Sequence, residues 1–172
     1  ALVLDATWGR GNFWPSTPAG QYQLVRGDIR PVGDVMADAQ KLPFRNHVFD
    51  AVIFDPPYAR HGTAMKESIA RVYGNNEDAA PKSVGELIAL YFNAIDEARG
   101  ALKIGGVLIL KVQDQIESGK QHFIHVYFMG LPMFRCEDLF VLVQPTQPAM
   151  RQPTQKHARK NHSYYIVHRR AA

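Results

Sequence analysis

The sequence predicts one α/β domain, spanning residues 1–172, with a mostly parallel seven-stranded sheet and an antiparallel hairpin at its C-terminal end. Three observations support this prediction. Short apolar runs recur between turn residues, as expected for strands. A long helical pattern separates the fourth run from the fifth, which is typical of connections between parallel strands. The last two runs are joined by a Pro- and Gln-rich stretch without helical periodicity, so they are expected to pair antiparallel.

Seven apolar runs are interpreted as strands. They span residues 1–4, 23–25, 35–37, 51–54, 107–112, 139–143 and 164–167. The helical pattern covers 84–102, where apolar residues recur every three or four positions. Glycine commonly ends helices, so Gly105-Gly106 is predicted to stop this one.

Two further segments connect the strands. A second helix is predicted at 121–129, ended by Gly130 and Pro132. Between the first two strands, two prolines and a glycine oppose a long helix over 12–22. We therefore expect a short turn or loop at that point, where an α/β fold would ordinarily have a helix.

The composition bounds the class of protein. A single cysteine, Cys136, excludes an internal disulfide framework, so a reducing compartment is expected. The apolar runs are only strand-sized and no apolar leader opens the chain, which predicts a cytoplasmic protein without a membrane segment. Because Ala1 leads directly into an apolar run, we expect that preceding sequence has been removed or left out.

Positive charge is concentrated towards the C-terminus. The formal net charge is +4 and the isoelectric point is near 9.3, which permits a polyanionic partner. The asymmetry indicates either a phosphate-facing end or a solvated basic tail, and charge alone does not decide between them. The basic residues of the last quarter include Arg151, Lys156, His157, Arg159, Lys160, His162, His168, Arg169 and Arg170.

A glycine turn follows the first predicted strand. The strand ends in Asp5, Ala6 and Thr7, and a Gly-x-Gly turn of Gly9 and Gly11 comes next. Glycines at this point let a ligand approach the backbone at the carboxyl edge of the sheet, where open α/β folds bind cofactors. A plain tight turn is the alternative, and the acids that follow favour the cofactor site.

Two acids follow the second and third predicted strands. Asp28 stands where a nucleotide-binding α/β sheet commonly places the acid that binds both ribose hydroxyls. Asp38 could accept an adenine amino group while Ala39 offers a backbone donor. A turn-forming acid is the alternative at both positions. The spacing from the glycine turn favours the ribose role for Asp28, and the choice for Asp38 stays open.

The fourth predicted strand leads into Asp55-Pro56-Pro57-Tyr58. The two prolines fix an extended turn and remove two donors, so the Asp55 carboxylate and the Pro56 carbonyl remain as acceptors. Such a pair suits an NH₂ donor, and two acceptors can draw an exocyclic base amine towards a tetrahedral nucleophile. Tyr58 can stack on a base swung out of its helix. The segment therefore predicts chemistry on a base amine.

The glycine turn, the two acids and Asp-Pro-Pro-Tyr, in this order, resemble the S-adenosylmethionine-dependent amino-methyltransferases of DNA, which act on adenine N6 or cytosine N4. The resemblance covers 1–112 by motif and implies the Rossmann-like class I methyltransferase fold. It implies that Asp55, Pro56, Pro57 and Tyr58 are catalytic, that the aspartate at 55 favours adenine, and that no metal is required. The S-adenosylmethionine contacts that it implies are Asp5, Ala6, Thr7, Gly9, Gly11, Asp28, Asp38 and Ala39.

DNA is the substrate expected from this resemblance, although the chain has no evident target-recognition domain. Either sequence specificity is low, or it comes from the loop at 60–81 and the basic connector, or a partner or a missing segment supplies it. A homodimer and a recognition partner both stay open. The loop at 60–81 mixes cations with an aromatic residue and is interpreted as a substrate lid. The predicted substrate contacts are Arg60, His61, Lys66, Arg71, Lys156, Arg159 and Lys160.

Two other functions remain open at this point. Related Asp/Asn-Pro-Pro-Tyr sites serve RNA amines, so an RNA methyltransferase acting on adenine N6 or guanine N2 is the first alternative. The second is a catalytically inactive subunit that keeps the fold and binds nucleic acid. The intact glycine turn and tetrapeptide favour the active enzyme.

Overall fold

The computed structural model describes residues 1–11, 13–14, 21–58, 81–144, 157 and 160–172. These residues contain two helices, α1 (Val84–Ala101) and α2 (Ile124–Met129). They also contain nine strands: β1 (Leu2–Asp5), β2 (Gln23–Asp28), β3 (Val35–Met36), β4 (Phe49–Phe54), β5 (Leu102–Val112), β6 (Gln115–Glu117), β7 (Lys120–His122), β8 (Phe134–Val143) and β9 (His162–Arg170).

Seven of the strands form one sheet in the order β3-β2-β1-β4-β5-β9-β8. The first five pair in parallel, whereas β9 lies antiparallel to both β5 and β8. The structure thus confirms the predicted mostly parallel seven-stranded sheet with its C-terminal antiparallel hairpin. Because β8 is antiparallel to β9, it runs in the same direction as β5.

Helix α1 covers one face of the sheet. The Ser83 hydroxyl accepts a hydrogen bond from the Glu86 N–H at 3.1 Å and caps its first turn. Apolar side chains recur on its inner side every three or four residues, and they join the buried residues of β1, β4 and β5 in one core cluster. The members from the strands include Leu4, Val52, Phe54, Leu108 and Leu110.

The predicted stop of α1 at Gly105-Gly106 is wrong. The helix ends at Ala101, and β5 begins at once with Leu102 in an extended conformation. The two glycines lie inside β5, where the pairing with β4 shifts register and Gly105 takes a φ of +75°. Glycine in a strand often marks such an irregularity. Here the pair bends a strand rather than ending a helix.

The predicted helix at 121–129 is only partly right. Its second half is α2, but Lys120–His122 is strand β7, which pairs with β6. Two residues join these strands, Ser118 and Gly119, with φ angles of +49° and +72°. The type I′ turn of a two-residue hairpin requires positive φ at both of these positions. The Ser-Gly pair therefore turns the chain back and delays the helix to Ile124.

The parallel strands bring their carboxyl ends to one edge of the sheet. Asp5 and Asp28 end β1 and β2, and Asp55 follows β4. The prediction that 12–22 lacks a long helix lies mostly outside the described residues. Within the described part of the chain, no helix is long and apolar enough to cross a membrane.

Candidate active site

The glycine loop after β1 is held by Asp5. One carboxylate oxygen accepts the Thr7 N–H at 3.0 Å, and the other accepts the Trp14 indole N–H at 2.8 Å. Gly9 and Gly11 take φ angles of +58° and +71°, which L side chains rarely adopt. A Cβ on Gly11 would lie 2.6 Å from the Trp8 ring. The loop therefore needs glycine at position 11 for its conformation and for the space.

Asp28 ties the end of β2 to this loop. The Gly9 N–H donates to Asp28 Oδ2 at 2.8 Å, and the Arg30 backbone N–H and Nε donate to Oδ1 at 2.9 and 3.0 Å. Asp28 is buried, with 5% of its surface exposed. The structure places the predicted ribose acid beside the glycine loop, with Arg30 as its partner ion.

The two residues after the third strand lie in a tight turn. Asp38 Oδ1 accepts the Gln40 N–H at 2.8 Å, and the Asp38 carbonyl accepts the Lys41 N–H at 2.9 Å. Ala39 is buried. Asp38 thus has the turn-forming contacts that the sequence allowed as an alternative. Its predicted contact with adenine stays a prediction.

The tetrapeptide is joined to the glycine loop by a hydrogen bond. The Asp55 N–H donates to the Thr7 hydroxyl at 2.7 Å. Pro56 is buried, and Pro57 and Tyr58 are half-buried. The two halves of the predicted site, cofactor loop and acceptor tetrapeptide, are therefore adjacent.

A lysine of β5 contacts the predicted catalytic carboxylate. Lys111 Nζ lies 2.7 Å from Asp55 Oδ2. Burial raises the pKa of Asp55 above its ordinary value, and the Lys111 ammonium opposes this rise. The pair therefore combines a desolvated carboxylate with a cation that favours its ionised form.

Negative charge accumulates at this edge of the sheet. Burial raises the pKa of Asp5, and the carboxylates of Asp55 and Asp28 raise it further by repulsion. Arg30 neutralises Asp28 and Lys111 neutralises Asp55. Asp5 takes part in no ion pair within the described residues, and its hydrogen-bond donors are neutral groups. Its surroundings favour a cationic ligand.

The structure brings to the site four side chains that the sequence did not single out: Lys111, Tyr91, Tyr165 and Trp14. The Tyr91 hydroxyl of α1 donates to the Lys111 carbonyl at 2.5 Å. Lys111 Nζ lies 5.8 Å from the centre of the Tyr165 ring, and this ring packs edge-on against Phe13 at 5.7 Å. Trp14 contacts Asp5. One signal was available, because a lysine between apolar residues of a central strand is unusual and indicates a specific partner.

Most of the predicted substrate contacts lie outside the described residues: Arg60, His61, Lys66, Arg71, Lys156 and Arg159. Lys160 is described and half-buried, just before β9. The Gln144 N–H donates to the Asn161 carbonyl at 2.6 Å where the hairpin strands diverge. Since β8 ends and β9 begins at the carboxyl edge, both ends of the connector that carries the basic residues lie at the same edge of the sheet as Asp55.

No protein-family model matches the chain, and no curated protein matches it in sequence. Solved structures match it in fold. An rRNA methylase from Streptococcus thermophilus has a TM-score of 0.53 at 16% identity, over 100% of this chain and 88% of that one. A SAM-dependent methyltransferase from Methanosarcina mazei has a TM-score of 0.55 at 13% identity, over 99% and 92%. A protein from Pyrococcus horikoshii has a TM-score of 0.55 at 16% identity, over 98% and 81%. The chain therefore has the class I methyltransferase fold.

Proposed function

We propose that this chain is an S-adenosylmethionine-dependent methyltransferase that acts on the exocyclic amine of a nucleic-acid base, with adenine N6 in DNA as the leading substrate. The hydrogen bond between the Asp55 N–H and the Thr7 hydroxyl carries the proposal. Methyl transfer requires the reacting atoms to approach to about 3 Å in line. This hydrogen bond joins the two segments, so a cofactor bound at the glycine loop would lie next to an amine bound at Asp55.

The glycine loop suits S-adenosylmethionine by shape and by charge. Gly11 lets the loop adopt a positive φ with its backbone close to the Trp8 ring, and the buried Asp28 carboxylate lies beside the loop to accept ribose hydroxyls. Asp5, which lies in no ion pair among the described residues, offers negative charge to the cationic end of the cofactor. When bound, S-adenosylmethionine supplies an electrophilic methyl group on its sulfonium.

The tetrapeptide suits the amine. The Asp55 carboxylate and the Pro56 carbonyl accept its two N–H bonds, so the nitrogen lone pair turns away from the base ring. The nitrogen then bonds to the methyl carbon as the carbon–sulfur bond breaks, with the electron pair going to sulfur. The amine becomes positively charged and loses its extra proton through Asp55 to water. Tyr58 stacks on the base and holds it out of its helix.

The kind of nucleic acid depends on groups beyond the tetrapeptide. One basic segment follows Tyr58 in sequence and the other connects β8 with β9. The described residues that flank them lie at the edge of the sheet that carries Asp55, which suits phosphate binding. An aspartate at position 55 favours adenine by resemblance. RNA is the second candidate, because an rRNA methylase is among the proteins that share the fold.

The test is transfer of a labelled methyl group from S-adenosylmethionine to duplex DNA and to structured RNA in competition, followed by nucleoside analysis. We expect N6-methyladenine in DNA from the wild-type chain and none from Asp55→Ala. Asp50→Asn is the control, because Asp50 is also on β4 and pairs with Lys103 of β5 at 2.7 Å, but at the opposite end of the strands. It should remain active.

Three results would contradict the proposal in different ways. An active Asp55→Ala protein would remove the tetrapeptide from the mechanism. Methylation of RNA alone would replace DNA with the second candidate. Calorimetry that detects no binding at millimolar S-adenosylmethionine would favour a nucleic-acid-binding subunit without catalysis.

A further inference from the structure

We propose that Lys111 is a positioning residue for Asp55: its ammonium group holds Oδ2, so that Oδ1 faces the target amine as an ionised acceptor. The inference rests on the proposed function and deepens it. Lys111 Nζ lies 2.7 Å from Oδ2, whereas Oδ1 accepts no hydrogen bond from the described part of the chain. A carboxylate held at one oxygen presents the other to an entering N–H.

The backbone of Lys111 is fixed from two sides. Its neighbours Leu110 and Val112 are fully buried on the opposite face of β5. The Tyr91 hydroxyl, itself buried in the core, donates to the Lys111 carbonyl. On the other side, Lys111 pairs in register with Tyr165 of β9. The Cα of Lys111 is therefore held in place, and a residue that positions another side chain requires such a rigid backbone.

The ammonium group is confined as well. About a fifth of the Lys111 side chain and a quarter of the Asp55 side chain are exposed, and Nζ also lies over the Tyr165 ring. A lysine buried to this degree beside apolar neighbours loses hydration, which a partner carboxylate offsets. Screening by solvent is limited at such exposure, so the pair interacts more strongly than a surface pair.

The other titratable groups near Asp55 do not replace this cation. Asp5 of β1 interacts with Asp55 by charge repulsion. Tyr91 of α1 and Tyr165 of β9 are phenols whose pKa values lie above their ordinary value, chiefly through burial, and Tyr58 is the phenol of the tetrapeptide itself. These groups are neutral or negative near pH 7, so among the residues that the structure describes the Lys111 ammonium is the charge that favours ionised Asp55.

The chain supplies a matched control for this pair. Asp50 and Lys103 lie on the same two strands, β4 and β5, also with 2.7 Å between Nζ and a carboxylate oxygen. They lie at the amino end of β4, and both side chains are more than a third exposed. Removing the charge of Lys103 therefore tests the general effect of losing a β4–β5 ion pair.

The experiment is the pH profile of kcat/KM, with S-adenosylmethionine affinity measured alongside, for wild type, Lys111→Met, Lys111→Gln, Lys111→Arg and Lys103→Met. An opposite charge at this range lowers a carboxyl pKa by roughly 1 to 3 units. In the Met and Gln variants, we expect the acid limb of the kcat/KM profile, which reports the pKa of Asp55, to move up by at least about one pH unit. We expect kcat at pH 7 to fall about tenfold, because less of Asp55 is then ionised. Cofactor affinity should stay within about twofold, Lys111→Arg should restore part of the activity, and Lys103→Met should match wild type.

An unshifted acid limb in an active, folded Lys111→Met or Lys111→Gln protein would overturn the inference and leave the proposed function standing. If one variant fails to fold, as judged by its thermal melting, the other carries the comparison. If neither variant folds, Lys111→Arg decides. Because arginine keeps the cation, an acid limb that moves up by about one pH unit or more in a folded Lys111→Arg protein would count against the role of this charge. Absence of methyl transfer by the wild-type chain would overturn the proposed function and this inference together.

Discussion

The Thr7 hydroxyl accepts a 2.7 Å hydrogen bond from the N–H of Asp55, a residue 48 positions later in the sequence, just beyond the ends of the paired parallel strands β1 and β4. The Thr7 N–H in turn donates to Asp5. One residue thus contacts both acids of the candidate site. Thr7 therefore connects the cofactor loop to the tetrapeptide, so a substitution of Thr7 should displace the residues of both.

Replacing this hydroxyl should lower the rate of methyl transfer. Thr7→Val keeps the shape but leaves the Asp55 N–H without its acceptor, which should lower the free energy of unfolding by about 1 to 3 kcal/mol. We expect kcat to fall about tenfold as the tetrapeptide shifts, because small displacements of reacting groups cost rate. Thr7→Ser keeps the oxygen and should stay near wild type. Chemical denaturation and single-turnover kinetics measure the two effects, and a Thr7→Val protein with normal kcat would contradict this coupling.

A methyl group on Gly11 should abolish most cofactor binding. Gly11 and Gly119 have nearly equal φ angles, +71° and +72°, so alanine strains both by about 1 to 2 kcal/mol. Only at Gly11 would the new Cβ collide with Trp8, since a Cβ at Gly119 meets nothing within 4 Å. We expect Gly11→Ala to weaken S-adenosylmethionine binding by at least about tenfold in calorimetry. Equal affinities for the two variants would show that the loop does not contact the cofactor.

The fold was predictable because its signals are local and repeated. Apolar runs such as 107–112 are too short for an ordinary buried helix and are flanked by turn residues, which favours buried strands. The missing helix before the last strand indicated the antiparallel hairpin. The errors came where one residue type serves two purposes. Gly105-Gly106 is equally suited to ending a helix and to bending a strand, and the register of β5 against β4, which no local pattern encodes, decided between them.

The candidate site was predictable only where its residues follow one another in sequence. Asp55 stands in a dense motif, so its neighbours identify it. Lys111 and Trp14 carry no motif, and their contacts with Asp55 and Asp5 arise from strand pairing and from a loop that folds back. Lysine within an apolar strand was a signal, but its partner lay 56 residues away. Long-range pairing of this kind needs the fold first.

Trp14 should set the pH at which the cofactor binds. Its indole N–H donates to Asp5 and lowers the pKa of that carboxyl, although burial still raises the pKa above its ordinary value. If ionised Asp5 binds the cationic end of S-adenosylmethionine, affinity falls as the pH drops through this pKa. Trp14→Phe removes the donor, so the pKa rises and the loss of affinity should begin at a higher pH. Calorimetry from pH 8 to pH 4.5 measures the midpoint, and an unmoved or lowered midpoint would count against the role of Asp5.

His168 should make the fold sensitive to mild acid. It is fully buried in β9, edge-on to Phe134 at 6.0 Å between ring centres. Burial lowers the pKa of His168 below its ordinary value of 6.5, against a smaller opposing contribution from the Phe128 backbone. The unfolded chain therefore takes up this proton at a higher pH than the folded one. The stability is full well above pH 6.5, where neither state is protonated, and it declines as the pH falls through 6.5 towards the lower folded pKa.

Urea denaturation between pH 8 and pH 5 tests this dependence. One proton contributes at most about 1.4 kcal/mol per pH unit to the slope. His168→Phe keeps a ring in the core and should flatten the decline in the free energy of unfolding over this range, while its stability at pH 8 stays close to that of wild type. His47→Asn is the control, because His47 is exposed at a φ of +59°, which asparagine tolerates. It should keep the wild-type slope, and the same slope in His168→Phe would mean that another group takes up the proton.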